Sequence, residues 1–556
     1  MAARVFDWDE TAAVPEGAVV AEVWSFAPAG ARAAAEARLA ARGVRAVVRP
    51  ALKPALAAFR GLPVEAGDRV EVEVPGAPGP SPDRFAAELF PLADLLGVPV
   101  EVRVEGVAEG PALCRARVWR GEAAVAEAEA LVPVRLRGAA WAACGWVRAE
   151  FPDGRVEAGP WEDPCEAALF AALEAVRGLG RRDFGRLTLR IEGAFEDEAL
   201  GVGEEAVSLA EVLHEELYFG ALEILKAARG AAPGDRTVAP GQVAPEIVPA
   251  AGPVRLTVRV GEPRGVSAVA RRAPDWGEVE RAPRAAELLA GMAALGGRPM
   301  AAVSRQGRRV EGRVLAGRGP AVLLTGGQHA NEPTGPVGVL TAARRLAAEG
   351  AALGVCALEN PDGYAMYEDL LRVWPRHMHH AARYTAAGCD LAYRGGWEGE
   401  LRRRLGAETG AELHLSLHGY PSHEWLRPFA GYVPEGFGDW RLPRGMFLIL
   451  RTAAGWEERG EAVLRAAAGA LGAMPEVVAL TRAQLGRLRR HAPGVEVAML
   501  GEIPVLRQPA GAGTVAPVTI ITEAPDETVE GPVFRLLAAA QAEAAVAAAR
   551  AWREIG

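Results

Sequence analysis

Hydrophobic and polar positions along the chain follow two periods. Short runs that alternate, or that are continuously apolar and β-branched, predict strands at 19–26, 44–48, 70–74, 98–104 and 116–119, and the stretches 31–42 and 83–96 carry the helical period. The Pro/Gly segment 75–82 reads as a long turn. These elements predict an α+β accessory region over 1–145. From about 146 to 230 the pattern turns more helical: 167–178 predicts one helix, 187–191 a strand, and 208–229 a long helix on which Ser208 and Glu211 have the spacing of a capping box. His214, Glu215 and Glu216 lie on that helix. No second histidine stands four residues from His214, so the three read as a partly buried histidine beside solvated carboxylates. Residues 231–253 hold five prolines among small residues with no period and make the best linker in the chain. The segment 146–252 is therefore read as a helical and mixed accessory segment, and 253–556 as a separate domain.

Past that linker, strand and helix alternate. Runs at 254–260, 309–315, 322–325, 354–358, 412–417 and 518–522 predict strands, and 276–295, 334–349, 457–471 and 532–552 predict helices. Such alternation predicts an α/β sheet covered on both faces.

Length and composition narrow the reading. At 556 residues the chain exceeds one ordinary core, so two or three domains are expected. A net charge of −9 argues against nucleic acid as the main partner. No basic segment followed by an apolar stretch opens the chain and no run of 18 or more apolar residues occurs, which predicts a cytoplasmic protein with no membrane partner. The oligomeric state is left open. Five scattered cysteines without a C-x-x-C pair predict buried free thiols. Histidine changes the picture. Of nine in the chain, seven fall between His329 and His423, a concentration that packing alone does not explain.

The chemistry centres on residues 321–335, AVLLTGGQHANEPTG. A short buried strand breaks at Gly326-Gly327, and His329 and Glu332 follow before a helix that Pro333 announces. An imidazole and a carboxylate three residues apart just past a strand end can converge on one Zn²⁺, which needs a third ligand. The run 412–421, ELHLSLHGYP, offers it: as a strand it turns His414, Ser416 and His418 one way and three leucines the other. His418 sits at the carboxyl end, where α/β sheets place their sites, and is preferred over His414. The strand at 518–522 ends at Glu523, a carboxylate placed to act as base on a metal-bound water.

Together these pieces resemble the zinc carboxypeptidases of the carboxypeptidase A type. The matching residues are Val303-Ser304 with Gly307-Arg308, His329-x-x-Glu332, Asn360-Pro361-Asp362-Gly363-Tyr364, Leu417-His418-Gly419-Tyr420 and Thr522-Glu523, over roughly residues 266–556. The resemblance implies a central mixed sheet flanked by helices, one zinc ion per chain on His329, Glu332 and His418, and Glu523 as general base that passes a proton to the leaving amine. It also implies an oxyanion arginine. Counting from Asn360 puts Pro375 at that position, so the role goes to Arg376, one residue on. The family's Asn-Arg pair for the substrate's terminal carboxylate falls at Ala392-Tyr393, with Arg394 again displaced by one. Arg394, Arg383 and Tyr420 are the expected substrate-binding residues. His377, His379 and His380 share the segment 374–394, where a loop ordered by hydrogen bonds to them is preferred over a second metal. The expected activity is zinc-dependent hydrolysis of an amide bond in a peptide, with deacylation of N-acyl amino acids as the alternative and a non-catalytic peptide-binding module as a third reading.

Overall fold

The computed structural model describes residues 4–7, 9–79, 81–138, 140–232, 235–262, 272–393, 396–432, 441–511 and 513–555. Three four-stranded sheets occupy the N-terminal half. In one, Val20–Ser25 pairs in parallel with Arg45–Pro50 and antiparallel with the hairpin Gly145–Glu150 and Val156–Trp161. A second, of Val100–Val107, Arg69–Gly76, Ala112–Arg120 and Ala123–Val132, packs its own core around Val70, Val72, Phe85 and Leu89. The predicted helix over 83–96 is two short helices, Arg84–Ala87 and Leu92–Leu96, because Pro91 cannot continue the first.

The third sheet corrects the linker. Gln242–Pro249 lies in the expected linker and is a strand, parallel to Arg186–Gly193. Its prolines are tolerated because it stands at the sheet's edge. The same sheet takes Arg4–Phe6 and Val254–Gly261, so it draws strands from all three expected segments and crosses the expected boundary at 252/253. The stretch after 146 also begins as β structure. Helix α1 (Leu209–Ala228) follows, with Ser208 Oγ accepting from Glu211 N at 3.1 Å. The reciprocal half of the capping box is not made: the Glu211 carboxylate accepts from Met378 N instead.

Nine strands among the described residues form the large sheet of the C-terminal half: β1 (Arg298–Val303), β2 (Arg309–Leu315), β3 (Arg318–Gly326), β4 (Ala351–Cys356), β5 (Leu413–Tyr420), β6 (Phe447–Thr452), β7 (Met499–Leu500), β8 (Ile503–Pro509) and β9 (Val518–Pro525). Their order is β1-β2-β4-β3-β5-β9-β6-β8-β7. The sheet is mixed, with β4, β3, β5 and β9 parallel and β2 and β6 antiparallel to their inner neighbours. Alternation along β3 sets the layers. Val322 and Leu324 pack with α2 (Thr334–Ala348) and α5 (Pro532–Ile555), whereas Leu323 packs with Leu401 and Leu405 of α3 (Glu398–Thr409). Helix α4 (Glu457–Gly472) joins α5. By length and composition α5 could cross a membrane; here it packs against α2 and α4 and buries Phe534, Leu537 and Trp552.

One feature of the topology positions the site. From β3 the chain goes to β4 on one side and returns to β5 on the other. The carboxyl ends of β3 and β5 therefore flank a switch point, where parallel sheets open a crevice.

Candidate active site

His329 and Glu332 stand on the turn between β3 and α2, and His418 near the end of β5. Two contacts press that turn against β5. Thr334, the first residue of α2, gives its N–H (2.9 Å) and its hydroxyl (2.5 Å) to Asp526 Oδ2 beyond β9. At Gly335 a Cβ would lie 2.5 Å from the Leu417 carbonyl oxygen, so only glycine lets the helix come this close to β5. The result is convergence. His329 Nδ1 lies 2.7 Å from Glu332 Oε1, His418 Nδ1 lies 3.0 Å from Glu332 Oε2, and the two Nδ1 atoms are 3.2 Å apart. All three side chains are buried, and among the described residues they are the one group of three or more His, Cys, Asp or Glu donors close enough to share an ion.

The donor set fits a zinc ion. Ligands on a tetrahedral Zn²⁺ with bonds of about 2.0 Å stand about 3.3 Å apart, close to the separations here. The far side of each ring is also occupied. His329 Nε2 faces Gln328 Nε2 at 3.0 Å and Asp390 Oδ2 at 3.6 Å, and Gln328 is held in turn by Arg402 (2.6 Å). His418 Nε2 meets Ser416 Oγ at 3.1 Å. Both Nδ1 atoms face Glu332. Burial works against the Glu332 charge, but the two imidazoles hold its carboxyl well below the usual carboxylate range. His414 takes no part; its Nε2 bonds Thr325 Oγ1 at 2.9 Å.

Glu523 sits inside β9, directly beside His418 in the parallel register. It is half-buried on the wall of a cavity of ≈ 390 Å³ that His329 and His418 also line. Burial, then the nearby Glu332 charge, push its carboxyl well above the usual carboxylate range. Arg383 also lines this cavity and donates from Nη1 to Glu332 Oε1 at 3.0 Å. Tyr420 lines it too, but its hydroxyl donates to the Gly445 carbonyl (2.7 Å) and accepts from Arg444 N (2.9 Å).

Arg376 is not brought to the site. It is exposed, pairs with Glu204 at 2.7 Å and does not line the cavity. The reason is its neighbour: His377 turns to Asp197 (2.7 Å) and Ser208 (3.3 Å) of the N-terminal half and draws the chain away. Arg383, seven residues on, does line the cavity. Arg394 lies outside the described residues. The other loop histidines make hydrogen bonds, His379 Nε2 to the Trp374 carbonyl (2.7 Å) and His380 Nδ1 to Glu215 (2.5 Å).

Three contributions escape the sequence reading. Asp390 stands 3.6 Å behind His329 and accepts from Gln328 Nε2 at 3.2 Å, and its signal was a lone aspartate amid the histidine-rich segment. The α1 carboxylates, expected to be solvated, are buried: Glu215 accepts from the Trp425 indole (2.9 Å) and Glu216 from Phe429 N (2.7 Å) and Ala430 N (2.9 Å). A stripe of acids on an otherwise apolar helix was the available sign. Strands β6 and β8 bring Arg451 and Gln508 into the cavity, and the apolar run Phe447–Leu450 could have predicted β6.

No protein-family model matches the chain, and no curated protein matches it. Solved structures do. The chain is similar to a metallo-carboxypeptidase from Burkholderia cenocepacia at 15% identity, covering 48% of this chain and 69% of that one with a TM-score of 0.30. It is similar to a metallo-carboxypeptidase from Pseudomonas aeruginosa at 15% identity, covering 48% of this chain and 68% of that one with a TM-score of 0.31. Bovine thrombin-activatable fibrinolysis inhibitor is similar at 8% identity, with 50% of this chain and 99% of that one covered and a TM-score of 0.33.

Proposed function

We propose that the chain is a zinc-dependent hydrolase of amide bonds, a carboxypeptidase acting on peptides. The observation that carries this reading is the meeting of two imidazole nitrogens and a carboxylate within 3.2 Å of one another, with Glu523 next to His418 on the wall of the same cavity. A zinc ion bound there would polarise the scissile carbonyl and ease deprotonation of water. The chain's own residues supply the rest. Glu523, with its proton affinity raised by burial, takes the proton from water and returns it to the leaving nitrogen. Arg383 aims a guanidinium at the ligand cluster, where it stabilises negative charge developing on the carbonyl oxygen. Asp390 and Ser416 keep the imidazoles turned.

Deacylation of N-acyl amino acids is the second reading. Ala392 and Tyr393 stand where a peptidase would place its pair for the terminal carboxylate, and neither provides a guanidinium. Turnover of short peptides against N-acyl amino acids by zinc-loaded protein separates the two. In the same assay Glu523→Gln is expected to retain one metal per chain and to lose about 10²-fold or more in turnover. A variant as active as the parent would remove Glu523 from the mechanism, and a parent whose activity survives chelation would remove the metal.

A further inference from the structure

The cavity does not end at the metal ligands. Its floor is the sheet itself, and the register sets out its side chains in rows. His418, Glu523 and Phe447 are directly opposed across β5, β9 and β6; Ser416, Ile521 and Ile449 form the next row, and His414, Thr519 and Arg451 the one after. Residues two apart share a face, so the three rows form one surface. All of these except Phe447 line the cavity. The third row stands four residues from Glu523 along β9, about 13 Å at the strand rise.

Chemistry changes from row to row. The first holds the ligand and the base. Ile521 and Ile449 make an apolar waist. The last is polar and under-used. Arg451 gives its Nε–H to Gln508 Oε1 at 3.0 Å, and among the described residues it has no carboxylate partner. Thr519 Oγ1 is buried without any hydrogen-bond partner, although the residue is only 4% exposed. An orphaned buried hydroxyl on a cavity wall is costly unless something completes it, and beside it stands a half-buried guanidinium with donors to spare.

We infer that Arg451, with Thr519 and Gln508, forms a subsite for the side-chain carboxylate of an acidic residue, so that the preferred substrate releases glutamate or aspartate. This rests on the hydrolase reading of the same cavity. A guanidinium offers paired donors that match a carboxylate, and the hydroxyl adds a third. Reach favours the side chain over the α-carboxylate. The α-carboxyl carbon is three bonds from the scissile carbonyl carbon, about 4 Å at most, whereas the Glu side-chain carboxyl is five bonds away. The longer group crosses the isoleucine waist to the last row, leaving the shorter one near the metal ligands and Arg383.

Binding tests this without turnover. Zinc-loaded protein is titrated calorimetrically with N-acetyl-L-glutamate and with its uncharged isostere N-acetyl-L-glutamine. The parent should prefer glutamate by roughly 10- to 100-fold. Arg451→Met should bring that ratio close to one, with residual glutamine binding reporting that the fold survives, and Arg451→Lys should keep part of it. A ratio near one in the parent, an unchanged ratio in Arg451→Met, or binding of neither ligand by the parent overturns the proposal. The two readings fail separately. Peptide cleavage with no acidic preference removes the subsite and leaves the hydrolase, whereas an intact ratio without any cleavage removes the hydrolase alone.

Discussion

His423 offers the sharpest physical test of how the two halves are joined. Its Nδ1 donates to the Glu424 carbonyl at 2.9 Å and its Nε2 faces Glu211 Oε1 of α1 at 3.2 Å. Both ring nitrogens meet acceptors, which only the imidazolium satisfies. Burial lowers the pKa of His423, but Glu211 outweighs it and lifts the value to about 10; burial raises that of Glu211, but His423 brings it down to about 2. The signs define a window. The histidine's contribution is complete below its ordinary 6.5 and disappears as pH climbs through about 10. The carboxylate's is complete above its ordinary 4.5 and disappears as pH falls through about 2. The pair is therefore at full strength between these two ordinary values. A shift of this size on a buried histidine is worth on the order of 5 kcal/mol, and the Glu211 shift describes the same interaction and is not added. Removing one partner of a buried pair costs about 3–5 kcal/mol. His423→Gln should thus lower the urea midpoint, followed by tryptophan fluorescence, strongly at about pH 5.5. Near pH 10 the gap should close to about 0.4 kcal/mol. An equal gap at both pH values, or none at the lower one, would refute the ion pair as the source.

Two further outcomes follow from the site. Asp390→Ala, which removes the carboxylate behind His329, should weaken zinc binding by roughly 10- to 100-fold in competition with a chelator; unchanged affinity would mean that Asp390 does not orient the ligand. Arg383→Ala should cost about 10²-fold in kcat/KM, whereas Arg376→Ala should stay within about twofold, and the reverse order would return the oxyanion role to Arg376.

The grouping of His329, Glu332 and His418 was readable from sequence because its information is local. His329 and Glu332 share one turn, and His418 lies on a strand whose alternation with Leu413, Leu415 and Leu417 fixes its direction. Pairing β3 with β5 then suffices to bring the three together. Arg376 was misplaced for the opposite reason. Counting along a loop assumes that the loop keeps its path, and here His377 is tied to Asp197 and Ser208, 180 and 169 residues away. The strand at Gln242–Pro249 was hidden by its prolines, which mark a linker in the middle of a chain and are equally at home on a sheet edge.

The N-terminal half was opaque because what it contributes to the site is long-range and polar. Hydropathy counts Glu211, Glu215 and Glu216 as water-facing, yet a buried carboxylate survives only when donors surround it. On α1 those donors come from the C-terminal half: Met378 N for Glu211, the Trp425 indole and His380 for Glu215, and Phe429 N and Ala430 N for Glu216. His380 and Trp425 line the cavity themselves. The same acids that looked superfluous on the helix thus set the position of the cavity wall facing the sheet. Each buried carboxylate on α1 therefore points to a tertiary partner, and those of Glu215 line the candidate active site.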